Sequence, residues 1–399
     1  MVQCLDRIIA SMDTGVDDAL ALAYLLGSAD ECELSGVIAS YGNVDANTAY
    51  ANTRAVLDLF GRADIPVFLG SEHPSWADAF IPDAGCAQFH GDDGLGNTWL
   101  AGSGALADGA GVPGDMSGDD MSVDVPDGVV SVGGYLAGDV HAHPALGSYP
   151  RVGRSRSVDR PQSATSTALV SGGTRRCSVD AADGIEYLIE QVREFGRDVT
   201  VLSTGPLTDV DAAITRAPDI ASKLRLVMMG GTLTQPGNCW DAVAETNIIQ
   251  DPEAANHVFH SGADITMVGL DVTHQCLLTR SAADRWRATG TKRGRFLADL
   301  ADFSIKANLE ADTALFSGGM PLHDPLAAAV ALDSSLVDCF DLALRAETNT
   351  GDFNGVRGRT TGDPVGLVNH SMPHVHVALG VDSGRFLDEF AERMAEVCR

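Results

Sequence analysis

The sequence almost lacks lysine: of its 399 residues, only Lys223, Lys292 and Lys306 carry this side chain. Aspartate and glutamate number 55 against 27 lysines and arginines, which gives a formal net charge of −28. A surface of this sign repels the phosphates of nucleic acids and of anionic lipids. The composition therefore predicts neither a nucleic-acid partner nor a membrane partner. It is typical of a halophilic protein, whose self-repulsion is screened by molar salt.

Three further features are missing. There is no run of 18 apolar residues that could span a membrane, and the first residues (MVQCLDRIIASMD) have no basic segment followed by an apolar one. The eight cysteines are scattered without a C-x-x-C pair, which argues against a zinc site or a disulfide framework. We therefore expect a cytoplasmic protein with reduced thiols.

Hydrophobic residues make up 45% of the chain, enough for a large core. Outside 101–176, short apolar runs alternate with helical patterns, and this alternation predicts a parallel sheet covered by helices. The predicted strands are 7–12, 34–40, 66–69, 199–203, 224–229, 265–269 and 375–379. The predicted helices are 17–26, 46–60, 184–195, 209–216, 252–260 and 325–333. We expect one α/β domain over 1–399, with an open, mostly parallel sheet and helices on both faces.

Residues 101–176 interrupt this pattern. The stretch 104–128 has six aspartates and no lysine or arginine, whereas 151–176 has six arginines and one acid. Neither half shows strand or helix periodicity, so we interpret 101–176 as a low-complexity, disordered insertion. A basic partner-binding segment and an artefact of the gene sequence are alternative interpretations.

Three carboxylates lie within six residues where the first predicted strand passes into a helix: Asp13, Asp17 and Asp18. Ligands of open α/β sheets bind at the carboxyl ends of strands. Like charges this close repel one another unless a cation lies among them, and oxygen ligands suit calcium or magnesium. The alternative is that these side chains only cap the helix and favour its N-terminus.

Polar groups also stand at other predicted turns. His323 and Asp324 open an apolar helix, and the turn at 203–209 offers backbone carbonyls. The loop after 224–229 contains 237–238 and 245–247, with amide and carboxylate groups. Each of these signals alone is weak, because caps and turns use the same residue types.

Taken together, five blocks resemble the inosine-uridine preferring nucleoside hydrolases in content and order. They are D-T-G-V-D-D at 13–18, H-G-D-D-G-L-G at 90–96, T-G-P-L-T-D at 204–209, the stretch from M-G-G to D-P-E-A-A at 229–255, and P-L-H-D-P at 321–325. The likeness covers most of 7–100 and 180–399. It implies an enzyme that hydrolyses the N-glycosidic bond of ribonucleosides to free base and ribose, for purine or pyrimidine salvage, as a homo-oligomer (dimer or tetramer).

The resemblance also implies roles for matching residues. Calcium would be held by the carboxylates of Asp13, Asp18 and Asp324 and by the backbone carbonyl of Thr204, with two ribose hydroxyls and a water completing the shell. Asp13 would take the proton from that water as general base, and His323 would protonate the departing base.

Six further residues would contact the nucleoside. The roles implied are Asp17 and Asn247 for the 2′- and 3′-hydroxyls, Asn238 and Glu245 for the 5′-hydroxyl, Asn43 for the water or ribose, and His90 for the wall of the base pocket. Two departures from the family stand out: Ser11 replaces a supporting aspartate, and Thr246 replaces an aromatic residue.

Two other functions remain open at this point. The departures at 11 and 246 allow a non-catalytic nucleoside-binding protein on the same fold. A magnesium phosphohydrolase built on Asp13 would need a cation beside the transferred phosphate, and lysines are almost absent. Retained Asp13, Asp18, His323 and Asp324 favour the hydrolase.

The charge predicts that molar salt stabilises this protein. Repulsion among the excess carboxylates weakens folding when screening is removed. We expect the melting temperature to rise steeply from low to multimolar KCl, and less in a non-ionic osmolyte that does not screen charge. A melting temperature that stays flat across the KCl series would contradict the halophilic interpretation.

Overall fold

A computed structural model describes residues 5–82, 84–98, 183–239, 243–351, 354–363 and 372–399. The insertion that we interpret from the sequence at 101–176 lies outside these residues. Within the described residues, the main sheet has nine strands in the order β10-β9-β11-β6-β5-β4-β1-β2-β3. Neighbours from β11 to β3 run parallel, whereas β9 is antiparallel to both β10 and β11. The predicted fold class is therefore confirmed.

The strands are β1 (Asp6–Met12), β2 (Cys32–Ala39), β3 (Val67–Leu69), β4 (Val199–Ser203), β5 (Arg225–Met229), β6 (Asp264–Val268), β7 (Leu277–Leu278), β8 (Met320–Pro321), β9 (Val337–Ala346), β10 (Thr360–Asp363) and β11 (Val375–Val381). The helices are α1 (Val16–Gly27), α2 (Ala46–Leu59), α3 (Ala84–His90), α4 (Asp183–Phe195), α5 (Thr208–Arg216), α6 (Thr246–Gln250), α7 (Pro252–Phe259), α8 (Leu270–Thr273), α9 (Arg280–Arg287), α10 (Lys292–Ala311), α11 (His323–Leu332) and α12 (Ser383–Val397). Strands β7 and β8 form a separate antiparallel pair.

Strand β1 lies inside the sheet and is buried on both faces. Ile8, Ala10 and Met12 belong to the core on one face, with residues of α1, α10, α11 and α12. Ile9 belongs to the core on the other face, with residues of α4, α5 and α7. A strand covered on both sides needs apolar residues on both faces, which explains why Ile8, Ile9 and Ala10 follow one another without alternation.

The order of the strands creates a switch point beside β1. The chain passes from β1 outward to β2 and β3, then returns to place β4 on the opposite side of β1. Crossover connections on the two sides therefore leave a crevice at the carboxyl ends of β1 and β4. The backbone N–H of Thr204, just after β4, donates to the carbonyl of Ser11 at 2.9 Å and joins these two ends.

The sequence patterns missed several elements. No strand was predicted over β9, and no helix over α9, α10 or α12. Helix α10 did carry a signal: Phe296, Leu297, Leu300, Ala301 and Ile305 follow helical spacing and are buried. Within the described residues, no helix is both long and apolar enough to cross a membrane.

The turn after β2 presses against the end of β1. Gly42 lies beside Asp13, and a Cβ added at Gly42 would lie 1.9 Å from Asp13 Oδ2 and 2.6 Å from its Cγ. Asp13 is 1% exposed, so its carboxylate has little room to move away. Glycine is therefore required here by the close approach of the two strand ends.

We expect Gly42→Ala to lower the free energy of unfolding by ~1–3 kcal/mol, the usual cost of overpacking a buried site. Urea titration at constant salt would measure the change. Gly351→Ala is the matched control, because a Cβ there meets no atom within 4 Å. Equal stability of the two variants would show that the turn at Gly42 adjusts freely.

Candidate functional site

Buried carboxylates gather where β1 enters α1 and where α11 begins. Oxygen atoms of Asp17, Asp18 and Asp324 all lie within 4.8 Å of one another. These three side chains are 9%, 0% and 2% exposed, respectively. Asp17 and Asp18 stand in the first turn of α1 and Asp324 in the first turn of α11, where the positive ends of both helices favour negative charge.

Asp13 lies beside this cluster with one oxygen fixed and the other uncommitted. The backbone N–H of Asn43 donates to Asp13 Oδ2 at 2.7 Å. Oδ1 is buried and has no hydrogen-bond partner among the described residues. Burial, together with the charges of Asp18 and Asp17, raises the pKa of Asp13 well above its usual value. A buried, oriented and unsatisfied carboxylate oxygen points to a ligand at this position.

Asp18 is the most heavily bonded member of the site. The Thr204 hydroxyl donates to its Oδ1 at 2.6 Å, and the Gly15 N–H donates to its Oδ2 at 2.8 Å. The Asn43 side-chain amide also donates to Oδ2, at 3.3 Å. Asp18 is therefore held in one orientation by groups from three strand ends.

The charges of these carboxylates are not balanced by a nearby arginine or lysine in the described residues. Burial raises the pKa of Asp17 and of Asp18 to about 6, with the charge of Asp17 adding to the effect on Asp18. Burial and the three neighbouring aspartates raise the pKa of Asp324 well above its usual value. The donor set consists of oxygen atoms, and the Oδ1 atoms of Asp13 and Asp17 have no hydrogen-bond partner among the described residues, which fits a hard divalent cation.

Two histidines border the carboxylates. His90 ends α3, and its Nδ1 accepts a hydrogen bond from the Val16 N–H at 3.2 Å and lies 3.6 Å from Asp17 Oδ1. Burial lowers the pKa of His90 to about 4. Burial, followed by the nearby imidazoles of His274 and His90, lowers the pKa of His323 well below its usual value. Both rings are therefore neutral at pH 7.

Asn247 connects two strand ends below the site. Its side-chain amide donates to the Thr204 carbonyl at 2.7 Å and to the Met229 carbonyl at 3.2 Å. The carbonyl of Thr204 and the amide of Asn247, which the resemblance assigns to metal and to ribose, thus lie in direct contact. A carbonyl oxygen has a second lone pair and can accept another partner.

Glu245 and Asn238 organise the loop that follows β5. Glu245 caps α6: its carboxylate accepts from the backbone N–H groups of Asn247 and Ile248, and also from that of Gly231 at 2.9 Å. The side-chain Oδ1 of Asn238 accepts from the Thr246 N–H at 3.0 Å. The sequence did not indicate the capping role of Glu245, which directly precedes α6, because glutamate is not among the residue types preferred at an N-cap.

Several residues near the site were missed from the sequence. The Ser11 hydroxyl donates to Asp209 Oδ2 at 2.9 Å, so a buried carboxylate does lie beside position 11. Asp271 accepts from the N–H groups of Leu233 and Thr234, both at 2.8 Å, and holds the loop after β5. Thr273 contacts His323. Such contacts join positions far apart in the chain and leave no local pattern.

The two tryptophans in the described residues, Trp76 and Trp286, make other contacts than with the carboxylate site. Trp286 is buried in the core against Phe390, and Trp76 donates its indole N–H to the Gln250 carbonyl at 2.8 Å. Trp99 and Trp240 lie outside the described residues. Phe303, by contrast, packs against Gly96 of the loop that follows His90.

Comparison with known proteins agrees with this geometry. The family model described as "Inosine-uridine preferring nucleoside hydrolase" matches residues 8–388. A pyrimidine-specific ribonucleoside hydrolase RihA of Enterobacter sp. (strain 638) is 30% identical, over 98% of this chain and 97% of the relative. The structure of a purine-preferring ribonucleoside hydrolase from Gardnerella vaginalis is 34% identical with a TM-score of 0.73, over 98% of this chain and 99% of the other.

A plant nucleoside hydrolase structure, PpNRh1, is 26% identical with a TM-score of 0.72 and covers the same 98% of this chain and 99% of its own. The family match spans both halves of the sheet and every carboxylate of the site. These relatives are enzymes that hydrolyse nucleosides, which supports the catalytic interpretation over a non-catalytic binding protein. The chain belongs to the inosine-uridine preferring nucleoside hydrolase family and is an N-ribohydrolase.

Proposed function

We propose that this protein is a calcium-dependent hydrolase of ribonucleosides that releases the free base and ribose for nucleoside salvage. The observation that carries the proposal is the group of four buried carboxylates at the switch point, two of which have uncommitted oxygens, with His90 beside them. Carboxylate oxygens in a crevice suit both a cation and the hydroxyl groups of a sugar. The neutral imidazole of His90 lies at the edge of this crevice.

Asp13, Asp18, Asp324 and the carbonyl of Thr204 would hold the calcium ion, and Asp17 lies close enough to Asp18 and Asp324 to share its field. When bound, calcium supplies positive charge that offsets the carboxylates and lowers the pKa of water in the crevice. The preference for calcium over magnesium follows from the family resemblance, since both ions favour oxygen donors.

Asp13 is the proposed general base. Its Oδ2 is held by the Asn43 N–H, so Oδ1 remains to accept a proton from the attacking water. The carboxylate must be ionised to do so. Burial and the neighbouring aspartates raise the pKa of Asp13, so positive charge in the site would favour its ionised form.

The ribose would be held by hydrogen bonds at both ends of the crevice. Asp17 and Asn247 are proposed for the 2′- and 3′-hydroxyls, Asn238 and Glu245 for the 5′-hydroxyl, and Asn43 for the water or the sugar. Glycoside cleavage passes through an oxocarbenium-like transition state, so contacts that tighten as the ring flattens accelerate the reaction.

His323 is the proposed proton donor to the departing base, and His90 lines the base pocket. Because the ring is neutral in the free protein, His323 would pass its N–H proton to the departing base as the base gains electron density, and it would regain a proton from solvent so that the ring stays neutral. The names of the relatives do not assign the base, since one is pyrimidine-specific and the other purine-preferring. A reducing-sugar assay on a purine and pyrimidine panel in high salt, with and without EDTA, tests both activity and metal dependence.

The setting of the enzyme is also proposed from its composition and its family. The acidic, lysine-poor sequence supports a salt-adapted cytoplasm, and the resemblance supports a homo-oligomer. Light scattering in multimolar KCl would measure the assembly directly.

The proposed roles of Asp13 as base and His323 as acid predict that the two variants respond differently to the leaving group of the substrate. Asp13→Asn should lower kcat by about 10²–10⁴-fold on nucleosides and on 4-nitrophenyl riboside, because water must be activated for both. His323→Ala should lower kcat on nucleosides but much less on 4-nitrophenyl riboside, whose leaving group needs no proton. Steady-state kinetics on both substrates would measure the split.

Asp64→Asn and His376→Ala are the matched controls, since both side chains are solvent-accessible and lie away from the crevice. They should leave both rates unchanged. Equal losses on both substrates for Asp13→Asn and His323→Ala would refute the proposed division, and near wild-type turnover by Asp13→Asn would refute the mechanism.

Calcium binding is expected to weaken as pH falls. Asp17 and Asp18 have pKa values of about 6 in the metal-free protein, so below that pH calcium must displace protons. The affinity should fall by about tenfold per pH unit for each proton displaced. Calorimetric titration with CaCl₂ at pH 5, 6 and 7 would measure this.

The stability of the metal-free protein should change in the opposite direction. These carboxylates bind protons more tightly in the folded protein. Their contribution to the free energy of unfolding is therefore present below the unfolded pKa of 3.8 and is lost as pH rises through about 6.

Asp324→Asn should weaken calcium binding at every pH, whereas Asp64→Asn should not. Identical calcium affinity at pH 5 and pH 7 would contradict this site assignment.

A further inference from the structure

One contact to His323 comes from an element that the proposed mechanism does not use. Thr273 is the last residue of α8, and its hydroxyl oxygen lies 2.7 Å from His323 Nδ1. Thr273 is fully buried, and its own N–H donates to the Gly269 carbonyl at 3.1 Å. The hydroxyl is therefore presented to the imidazole from a fixed backbone.

The same segment also fixes the backbone before His323. The Leu322 N–H donates to the Cys276 carbonyl at 2.9 Å, and β7 pairs with β8 just beyond. Backbone contacts therefore place the main chain of His323. The orientation of its imidazole ring depends instead on the side chains that the ring contacts. Among the described residues, the hydrogen bond to this ring comes from Thr273.

A second neighbour restricts the ring without bonding to it. The His274 ring lies 5.7 Å from that of His323, centroid to centroid, with an angle of 59° between their planes. His274 is itself held edge-on against Phe316 at 5.5 Å. Contact with these rings limits the space open to the His323 ring. It does not determine which of the two imidazole nitrogens faces α8, because both ring orientations have the same shape.

A hydrogen bond at Nδ1 does make that distinction. It turns Nδ1 toward α8 and leaves Nε2 on the opposite side of the ring. A threonine hydroxyl can donate or accept, and when it donates to Nδ1 the ring proton resides on Nε2. The nitrogen that faces away from α8 is then the one that carries a transferable proton.

We propose that Thr273 is a positioning residue that sets the orientation and tautomer of His323 for proton transfer to the departing base. The inference rests on the proposed function of His323. Thr273 itself touches neither substrate nor metal in this assignment, and it acts only through the Nδ1 contact.

Two substitutions test this role. Thr273→Val keeps the shape of the side chain and removes the hydroxyl, and Thr273→Ser keeps the hydroxyl and removes a methyl group. We expect Thr273→Val to lower kcat on nucleosides by about 10–100-fold, the usual effect of losing a group that orients an active side chain. KM should change little, kcat on 4-nitrophenyl riboside should be nearly unchanged, and Thr273→Ser should recover most of the loss.

The controls separate this role from a structural one. Thr200→Val removes a hydroxyl from a buried threonine on β4 and should leave both rates unchanged. In a His323→Ala background, Thr273→Val should cause no further loss, because its effect passes through that ring. Thermal melts of each variant verify folding, and Thr273→Ser serves as the folded reference if the valine variant melts early.

Three outcomes would overturn the proposal. They are a loss by Thr273→Val that is equal on both substrates, full activity of Thr273→Val on nucleosides, and a loss that adds to that of His323→Ala. Failure of the proposed function has a different result: the wild type would not hydrolyse nucleosides, or His323→Ala would show no dependence on the leaving group.

Discussion

Mutual repulsion among four buried carboxylates is the constraint on which the rest of this structure depends. Asp13, Asp17, Asp18 and Asp324 lie at the carboxyl ends of inner strands and the starts of two helices, and burial raises the pKa of each. A site of this kind costs free energy of folding unless a cation or protons neutralise it. A function that requires a bound metal ion explains why the protein keeps such a site, and the nucleoside hydrolases of this family are metal-dependent enzymes.

The fold limits that cost by placing donors and helix N-termini around the carboxylates. Asp18 accepts hydrogen bonds from Gly15, Asn43 and Thr204, and one oxygen of Asp13 is fixed by the Asn43 N–H. Gly42 allows the turn after β2 to approach Asp13 closely enough for that bond. In the described part of the chain, these donors leave the Oδ1 atoms of Asp13 and Asp17 without a hydrogen bond, and these are the oxygens that can bind a ligand or accept a proton.

Behind these residues, a second set of contacts holds the groups that we propose touch the substrate. Asn247 joins the ends of β4 and β5, Asp271 holds the loop after β5, and Thr273 contacts His323. Asp271 and Thr273 belong to one short helix, α8. A single turn of helix thus contacts both the loop that carries Asn238 and the imidazole proposed as proton donor.

The sequence by itself determined the α/β class, most of the parallel strands, and the residues of the family blocks, because apolar periodicity and strand-to-helix turns are local patterns. The resemblance of those blocks to the family also implied a cation site of Asp13, Asp18 and Asp324, which stays a proposal. The tertiary structure alone decided the long-range partnerships: Asp17 and Asp18 with Asp324, the Thr204 hydroxyl with Asp18, and Ser11 with Asp209. These pairs join residues up to 307 positions apart, from Asp17 to Asp324, and strand order brings them together. A local pattern cannot encode such contacts, because they depend on which strands become neighbours and on how closely their ends approach.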